Sequence, residues 1–413
     1  MKKLEPYPVY LTLEATGAFL FSMIFAASSI YQVTIAQLNP LQLVLVGTIL
    51  ELSVFLFEVP TGIVADIYSR RLSIIIGYFL IGLGFLLEGS IPLFFPILLA
   101  QVLWGVGYTF TSGATQAWIT DEIGEESANK AFLRSNQISQ VTALAGIGAG
   151  AVIGSLRINL PIQIGGILLA LLALVLILIM PETGFQPAPR EERSSWQNML
   201  LTFRNGLGMI KKRPALIDIL VIGLFYGLYS EGFDRLWTKF ILDNFSFPQF
   251  FQPVVWLSLM EAAGMLLSVF ATEVALRRVN TSSHSSIGRA LMSITTVLIA
   301  SLIGFALAPQ LLWVVGAYLL IYVARNVISP LYTAWVNQGL DSQVRATVLS
   351  MSSQVDAIGQ IAGGPVVGII GNVFSVQTAI IFSSLTLIPI LPLFSRTVRR
   401  DIRHADNISK TFP

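Results

Sequence analysis

The chain of 413 residues contains no cysteine and only two histidines, His284 and His404. The lack of cysteine excludes disulfide bonds, thiolate nucleophiles and cysteine-ligated metals. Both histidines lie in polar stretches outside the long apolar runs. A buried histidine-based metal or catalytic site is therefore not expected, and we predict no metal and no cofactor.

Charged residues are also scarce, since Asp, Glu, Lys and Arg make up 12% of the chain and hydrophobic residues make up 54%. Soluble proteins carry roughly 25% charged and about 45–50% apolar residues, so this chain has too little polar surface for a soluble fold. Lipid solvates apolar side chains directly and removes that requirement. The composition therefore predicts an integral membrane protein.

Long apolar runs dominate the chain, and a hydrocarbon core of about 30 Å requires about 20 such residues in a helix. Twelve runs reach this length, and they lack the alternation that is typical of membrane β-barrels. The first run contains Glu14 and lacks a small-residue cleavage site, so a signal peptide is not expected. The predicted spans are residues 8–33, 41–66, 71–90, 93–120, 130–155, 159–181, 214–240, 250–275, 286–307, 310–337, 345–371 and 375–396.

Lys and Arg are distributed unequally between the connections that join these spans. If the N-terminus is cytoplasmic, almost all of them fall in cytoplasmic segments; the exceptions are Arg157, Arg235, Lys239 and Arg325. Cytoplasmic loops of membrane proteins carry this excess of positive charge. We therefore predict a multi-pass protein of the cytoplasmic membrane with both termini in the cytoplasm.

The longest polar stretch, Glu182 to Arg213, divides the predicted spans six and six, and we interpret it as a linker without chemistry. Gln140–Gly154 aligns without gaps to Gln354–Gly368, and about seven of fifteen positions are identical, as expected of an internal repeat. Duplicated halves around a midplane site are typical of secondary transporters. The sequence predicts an all-α membrane protein of two six-helix bundles related by pseudo-two-fold symmetry. The predicted boundaries are 1–183 for the first bundle, 184–213 for the linker, 214–396 for the second bundle and 397–413 for the tail.

The connection between the second and third spans reads GIVADIYSRR. It resembles the G-x-x-x-D-[RK]-x-G-[RK]-[RK] loop of the major facilitator superfamily, and the matching residues are Gly62, Asp66, Arg70 and Arg71. It departs from that pattern at Ile67 and Ser69. Asp66 can pair with Arg70 or cap a neighbouring helix N-terminus. The resemblance implies a loop that latches the two halves on the cytoplasmic side.

Glycines recur in the fifth and eleventh spans. The residues concerned are Gly146, Gly148, Gly150 and Gly154 in the fifth span, and Gly359, Gly363, Gly364, Pro365, Gly368 and Gly371 in the eleventh. The pattern is similar to a signature of the antiporter branch of that family, although Ala151 replaces its usual proline. The seventh span, with the sequence SEGFDRLW from Ser230, also resembles bacterial drug-efflux members. Because small residues let helix backbones approach closely, generic helix packing is the alternative for the glycines.

Ionisable side chains inside the predicted spans are functional candidates, because each costs at least about 2.5–3.5 kcal/mol at bilayer depth. Those near the midplane are Glu51, Glu261, Arg325 and Asp356, and those in the outer half of the seventh span are Glu231, Asp234 and Arg235. Arg325 keeps its charge, so we expect it to pair with Asp356 or Glu261. A carboxylate that alternates between this pair and a protonated form would couple proton entry to a conformational change. A static structural pair is the alternative.

In the seventh span, Glu231 and Arg235 are spaced i, i+4 in the order that favours pairing. Asp234 lies on the same face and can satisfy Arg235 instead, which leaves Glu231 as the candidate for proton coupling or cation recognition. Mutual neutralisation of the three groups is the alternative.

In the family that the chain resembles, spans 1, 4, 7 and 10 line the substrate cavity. The candidate cavity residues on these spans are Phe19, Phe25, Gln101, Trp104, Tyr108, Tyr226, Tyr229, Tyr322 and Trp335. A pocket of aromatic and acidic side chains suits amphipathic, often cationic compounds. Packing or interface anchoring is the alternative for each aromatic residue. Gln101 stands where many proton-coupled members carry an arginine, so that part of their mechanism is not carried over.

We therefore predict a secondary transporter of the major facilitator type that exports lipophilic or amphipathic small molecules in exchange for protons by alternating access. The alternatives are proton-coupled import of a sugar or small metabolite and, more remotely, a non-transporting receptor or an enzyme. No nucleophile–base pair and no phosphate-binding glycine loop is evident, which argues against enzymatic activity and ATP-driven pumping. The expected partners are a small-molecule substrate, protons and membrane lipid, with no nucleic acid, and a monomer is expected.

Overall fold

The computed structural model describes residues 3–187, 214–338, 342–396 and 398. Its regular elements there are all helices, which confirms the predicted helical class. They are α1 (Pro6–Thr34), α2 (Pro40–Ile67), α3 (Arg70–Ser90), α4 (Phe94–Thr111), α5 (Ala114–Ile123), α6 (Glu125–Leu156), α7 (Leu160–Ile179), α8 (Pro214–Asn244), α9 (Pro253–Arg278), α10 (His284–Ala306), α11 (Leu311–Asn337), α12 (Ser342–Val373) and α13 (Val376–Leu385). Most of the predicted linker and tail lies outside the described residues.

Eleven helical segments in the described part of the chain are long and apolar enough to cross a membrane. The predicted span 93–120 comprises α4 and α5, which are separated at Gly113, where φ is 70°. This left-handed conformation favours glycine. The predicted span 345–371 falls on α12, a helix of 32 residues whose first half is rich in Ser and Gln.

Local sequence signals set where the early helices begin. Asn39 Oδ1 accepts a hydrogen bond from the Gln42 backbone N–H at 2.9 Å, and the Asn39 N–H donates to Gln42 Oε1 at 3.0 Å. This capping box opens α2 at Pro40, a residue whose missing N–H is tolerated in the first turn. Ser69 Oγ accepts from the Leu72 N–H at 2.9 Å and caps α3 in the same way.

The chain divides into two compact units, which consist of Met1–Leu200 with Pro248–Ser258 and of Leu201–Phe247 with Leu259–Pro413. In the first unit, α1 packs along α6, and α3 packs against both α4 and α7. In the second unit, α8 packs along α12, and α10 packs against α11 and α13. The first and fifth spans of each unit are therefore neighbours, as are the third and sixth.

Glycines make the close contact between α1 and α6 possible. A Cβ atom at Gly146 would lie 2.2 Å from the Phe19 carbonyl oxygen, and one at Gly150 would lie 2.6 Å from the Met23 carbonyl oxygen. Any larger side chain would push the two backbones apart. By contrast, a Cβ atom at Gly148 would have no neighbour within 4 Å.

The contact between α8 and α12 repeats this arrangement. A Cβ atom at Gly359 would lie 2.4 Å from the Leu224 carbonyl oxygen, and one at Gly363 would lie 2.4 Å from the Leu228 carbonyl oxygen. In both units, two glycines four residues apart thus face carbonyl oxygens four residues apart. By these contacts, Gly359 corresponds to the first glycine of the α6 pair. This correspondence is shifted by one residue from the alignment of the sequence repeat.

Candidate functional site

An ion pair joins α8 and α11 in the second unit. Arg325 Nη2 donates to Asp234 Oδ2 at 2.7 Å, and Nη1 bonds the other carboxylate oxygen. Two parallel bonds of this kind fit the planar guanidinium to the carboxylate. The Arg325 Cζ atom also lies 5.8 Å from the centre of the Tyr229 ring, within cation–π range. The side chains are 30% and 40% exposed, so the pair faces open space and not the packed interior of the unit.

The predicted pairing of Arg325 with Asp356 or Glu261 is therefore wrong. Asp356, on α12, instead accepts a hydrogen bond from Gln360 Nε2 at 2.7 Å. Glu261 lies on α9, one turn before Gly264, against which the Tyr322 ring packs. Depth along a helix can be counted from the sequence, but the helix faces that meet are set by tertiary packing, which brings α8 to α11.

Glu231 and Arg235 form the predicted i, i+4 pair, with 3.3 Å between Oε2 and Nε. Glu231 is buried, whereas Arg235 keeps partial exposure. The expectation that Asp234 satisfies Arg235 is not met, because the Asp234 carboxylate is engaged by Arg325. Glu231 and Asp234 thus have separate basic partners.

Tyr229, the aromatic neighbour of Arg325, belongs to a cluster of three tyrosines. The Tyr226 ring lies edge-on to the rings of Tyr229 and Tyr332, with centroid distances of 6.4 and 6.0 Å. The Tyr226 hydroxyl and Thr295 Oγ1 are hydrogen bonded at 2.6 Å, and the Tyr332 hydroxyl donates to the Ile219 carbonyl at 2.8 Å. Edge-to-face rings and satisfied hydroxyls fix α8 against α10 and α11. Tyr229 is therefore held rigidly beneath the Arg325 guanidinium.

Trp335 does not line an open cavity, contrary to the sequence prediction. Its side chain is fully buried, stacks on His284 with 4.9 Å between ring centroids, and lies 5.5 Å from the Phe394 ring. His284 Nδ1 is in turn hydrogen bonded to Gln338 Oε1 at 3.0 Å. Trp335 belongs to the interior of the second unit.

An aromatic surface lies on the first unit. The Trp104 ring lies 5.3 Å from the Phe25 ring and 5.1 Å from the Phe85 ring. Phe25 is 40% exposed and Tyr108, one turn beyond Trp104 on α4, is 48% exposed. Phe25, Trp104 and Tyr108 thus form a partly exposed aromatic surface, and their role in lining a substrate cavity stays a prediction. Phe19 contributes its backbone to the contact with α6.

A buried polar network in the first unit was missed by the sequence analysis. Glu88 Oε1 accepts from Ser28 Oγ at 2.6 Å and from Gln32 Nε2 at 2.8 Å, and Oε2 accepts from Gln101 Nε2 at 3.0 Å. The hydrophobic pattern does not single out Glu88, because it lies near the end of a span, where charged side chains ordinarily reach the membrane interface. The sequence feature that indicates this network is the i, i+4 spacing of Ser28 and Gln32 in an otherwise apolar run, together with Gln101 in another span.

The loop between α2 and α3 contains the predicted ion pair between Asp66 and Arg70. Arg70 Nε also lies 3.5 Å from Asp121 Oδ2 on α5. Gly62 lies within α2, one turn before Asp66. A single guanidinium thus connects the start of α3 to two acids on different helices.

Glu182 has a structural role that the sequence analysis did not assign. Its Oε2 accepts from Ser69 Oγ at 2.6 Å, and its Oε1 accepts from the Arg71 backbone N–H at 2.8 Å. The carboxylate therefore sits at the N-terminus of α3, where the helix dipole favours negative charge. Nearby, Trp118 Nε1 donates to the Pro181 carbonyl at 2.8 Å. These bonds tie the segment after α7 to the α2–α3 loop.

The remaining candidate residues lie on α2, α6 and α12. Glu51 lies half-buried on α2, and Gly154 lies on α6. Gly364, Pro365 and Gly368 lie on α12, where Pro365 is inside the helix. No group of three or more His, Asp or Glu side chains in the described residues could hold a metal ion.

Comparison with known proteins identifies the family. The model of the Major Facilitator Superfamily matches residues 13–364. The uncharacterized MFS-type transporter YxaM of Bacillus subtilis strain 168 is 23% identical over 355 residues, which cover 85% of this chain and 86% of YxaM.

Three solved structures of similar fold are those of transporters. The nucleoside transporter NupG has a TM-score of 0.74 at 14% identity, covering 95% of this chain and 98% of NupG. A bacterial homologue of the human lysosomal transporter Spinster, inward-facing and unoccupied, has a TM-score of 0.75 at 13% identity, covering 97% of this chain and 98% of that one. A POT family transporter in complex with a thioalcohol-conjugated peptide has a TM-score of 0.70 at 14% identity, covering 95% and 96%. With its apolar helices, this chain belongs to the Major Facilitator Superfamily and is a multi-pass membrane transporter.

Proposed function

We propose that this transporter exports lipophilic or amphipathic small molecules, including cations, across the cell membrane in exchange for protons. The observation that carries the proposal is the exposed ion pair between Asp234 and Arg325. A charged pair within membrane helices is stable only where water or another charge is at hand. Its 30–40% exposure therefore favours a water-filled substrate pathway on this face of α8 and α11.

The coupling step would take place at Asp234. When the carboxylate is ionised, the Arg325 guanidinium holds it with two hydrogen bonds. A proton that binds Asp234 Oδ2 neutralises the acid, removes one acceptor and releases the guanidinium. Tyr229 then remains as the neighbour of the freed cation. The pair would thus favour one conformation when closed and the other when open.

The substrate class follows from the exposed rings of the first unit. Phe25, Trp104 and Tyr108 offer flat apolar surface, and aromatic faces also attract cations. Neither α1 nor α4, the helices that carry these rings, contains a basic residue. This chemistry suits lipophilic and cationic compounds better than phosphorylated ones.

For the architecture, we infer twelve spans in two six-helix bundles with pseudo-two-fold symmetry, and a monomer with both termini in the cytoplasm. The Asp66–Arg70–Asp121 chain of charges and the Glu182 cap at the start of α3 would then form a cytoplasmic latch. Breaking and remaking such contacts would accompany alternating access.

The test is proton movement triggered by substrate in proteoliposomes. A panel of lipophilic cations and neutral drugs is added across an imposed pH gradient to the wild type and to the variants Asp234→Asn, Arg325→Ala, Glu231→Gln and Asp356→Asn. We expect proton release with the wild type and its loss in Asp234→Asn. Asp243→Asn is the matched control, because Asp243 is on the same helix and pairs with Lys239, at 3.0 Å. Intact substrate binding without any proton response would contradict the exchange mechanism.

Proton-coupled import of a small metabolite is the second candidate. The proteins of similar fold include a nucleoside transporter and a POT family transporter in complex with a conjugated peptide. Accumulation of nucleosides or dipeptides in vesicles of known orientation, with no export of the drug panel, would favour this candidate.

A further inference from the structure

Glu88 of α3 is a buried carboxylate that the proposed exchange at Asp234 does not use. It is 1% exposed, and three neutral side chains from α1 and α4 donate hydrogen bonds to its two oxygens. The Tyr31 phenol of α1 lies close enough to Glu88 to interact with it electrostatically. Tyr31 and the Arg157 guanidinium, which follows α6, line the same cavity. On α7, Ile162 and Gln163 face Gly89, and that helix carries no ionisable side chain.

Gln101 is the unusual member of this network. Its amide nitrogen donates to Glu88, whereas its amide oxygen is buried without a hydrogen-bond partner. An orphan acceptor of this kind is unfavourable in an apolar interior. The Tyr31 hydroxyl nearby is also buried without a partner.

A rotation of the Gln101 amide by a half turn would exchange its nitrogen and oxygen. The oxygen would then face Glu88 Oε2 and could accept a hydrogen bond from a protonated carboxyl. The same glutamine therefore suits both forms of Glu88, as donor to the carboxylate and as acceptor from the acid. An arginine at this position has donors only and would suit the ionised form alone.

A cavity of about 380 Å³ adjoins these helix ends. Tyr31 lines it, as do Gly89 and Ser90, which directly follow Glu88 in the chain. Arg157 and Asn159 add further polar lining. Water can hydrogen bond to these polar lining groups, so a proton donor and acceptor is at hand beside the network.

We propose that Glu88 is a second proton-binding site of this transporter, served by water in the adjoining cavity. A proton from that water forms a bond to Glu88 Oε2, the charge of the carboxylate changes from −1 to 0, and the Gln101 amide turns to accept the new O–H. Release reverses these steps and returns the proton to water. Its contribution to coupling rests on the proposed proton exchange, but proton binding itself does not.

The experiment is infrared difference spectroscopy of the purified full-length protein in lipid nanodiscs, titrated over the pH range in which it stays folded. We expect a protonated-carboxyl C=O band that appears as the pH falls. This band should be absent in Glu88→Gln and shifted in frequency in Glu88→Asp. It should be kept in Glu14→Gln, which removes a half-buried carboxyl of α1 in the same unit. Thermal melting and gel filtration verify that each variant is folded.

Gln101→Arg tests the role of the amide. A fixed cation beside Glu88 favours the carboxylate, so we expect the band to be lost from the accessible pH range. The proposal is overturned if Glu88→Gln and Glu88→Asp give the wild-type titration, or if Gln101→Arg leaves the Glu88 band unchanged. If drug–proton exchange fails in proteoliposomes while the Glu88 band is present, the proposed exchange is wrong and the proton-binding site at Glu88 stands. If exchange is intact while the Glu88 band is absent, the Glu88 site is wrong and Asp234 remains the coupling acid.

Discussion

The Arg325 guanidinium binds the Asp234 carboxylate across 91 residues of sequence and joins α11 to α8. The pair is accessible, so it contributes little to stability, about 0–1 kcal/mol as for other exposed pairs. Its value is functional, because a bond that water can reach can also be opened by a proton or a substrate.

We expect Asp234→Asn and Arg325→Ala each to lower the transport rate by about tenfold or more, equivalent to about 1.4 kcal/mol, with little change in melting temperature. Each variant leaves one charge without its partner. The double variant with both charges exchanged, Asp234→Arg and Arg325→Asp, should regain part of the activity. Arg277→Ala is the control, because its pair with Glu273 is exposed at the end of α9. Full activity of both single variants would show that the pair is only structural.

We expect Gly146→Ala to destabilise the first unit, because its Cβ atom would lie 2.2 Å from the Phe19 carbonyl oxygen. Overpacking of this kind costs typically about 1–3 kcal/mol. Gly148→Ala is the matched control on the same helix, where a Cβ atom meets nothing within 4 Å. Melting temperatures in detergent should fall by several degrees for Gly146→Ala and stay level or rise for Gly148→Ala. Equal melting temperatures would mean that α1 and α6 are not in close contact.

We expect Glu182→Gln to weaken the start of α3, because the neutral amide keeps at most one of the two accepted hydrogen bonds. Loss of a helix cap costs about 0.5–2 kcal/mol. Thermal unfolding measures this change, and transport assays show whether the cytoplasmic contacts also control the rate. Glu126→Gln, which breaks the exposed pair with Lys130, should change neither quantity. Identical results for the two variants would argue against a role for the Glu182 cap.

We expect Trp335→Ala to reduce stability and to leave substrate affinity unchanged in the protein that remains folded. Deletion of a buried tryptophan costs about 3–5 kcal/mol, and Trp335 is fully buried against His284 and Phe394. Tyr108→Ala should do the reverse, because Tyr108 is 48% exposed. Melting temperature and equilibrium binding of a lipophilic cation distinguish the two effects. A weaker affinity in Trp335→Ala at unchanged stability would return Trp335 to the substrate site.

Much of the fold could be predicted because lipid imposes a simple rule on the sequence. Every span must be an apolar helix of sufficient length, so the span positions can be read directly from hydrophobic runs. Short-range features could also be predicted, since the Asp66–Arg70 and Glu231–Arg235 pairs follow from i, i+4 spacing alone. The glycines of the fifth and eleventh spans likewise indicated close helix contacts.

The sequence by itself therefore determined the helical membrane architecture, the family motif and the pairs within single helices. Only the tertiary structure decided that Arg325 meets Asp234 and not Asp356, that Trp335 is interior, and that Glu88 is enclosed by α1 and α4. The physical reason is that periodicity fixes a residue's depth and face along its own helix. Which faces meet depends on the packing of helices that are distant in sequence, as when glycines allow two backbones to touch.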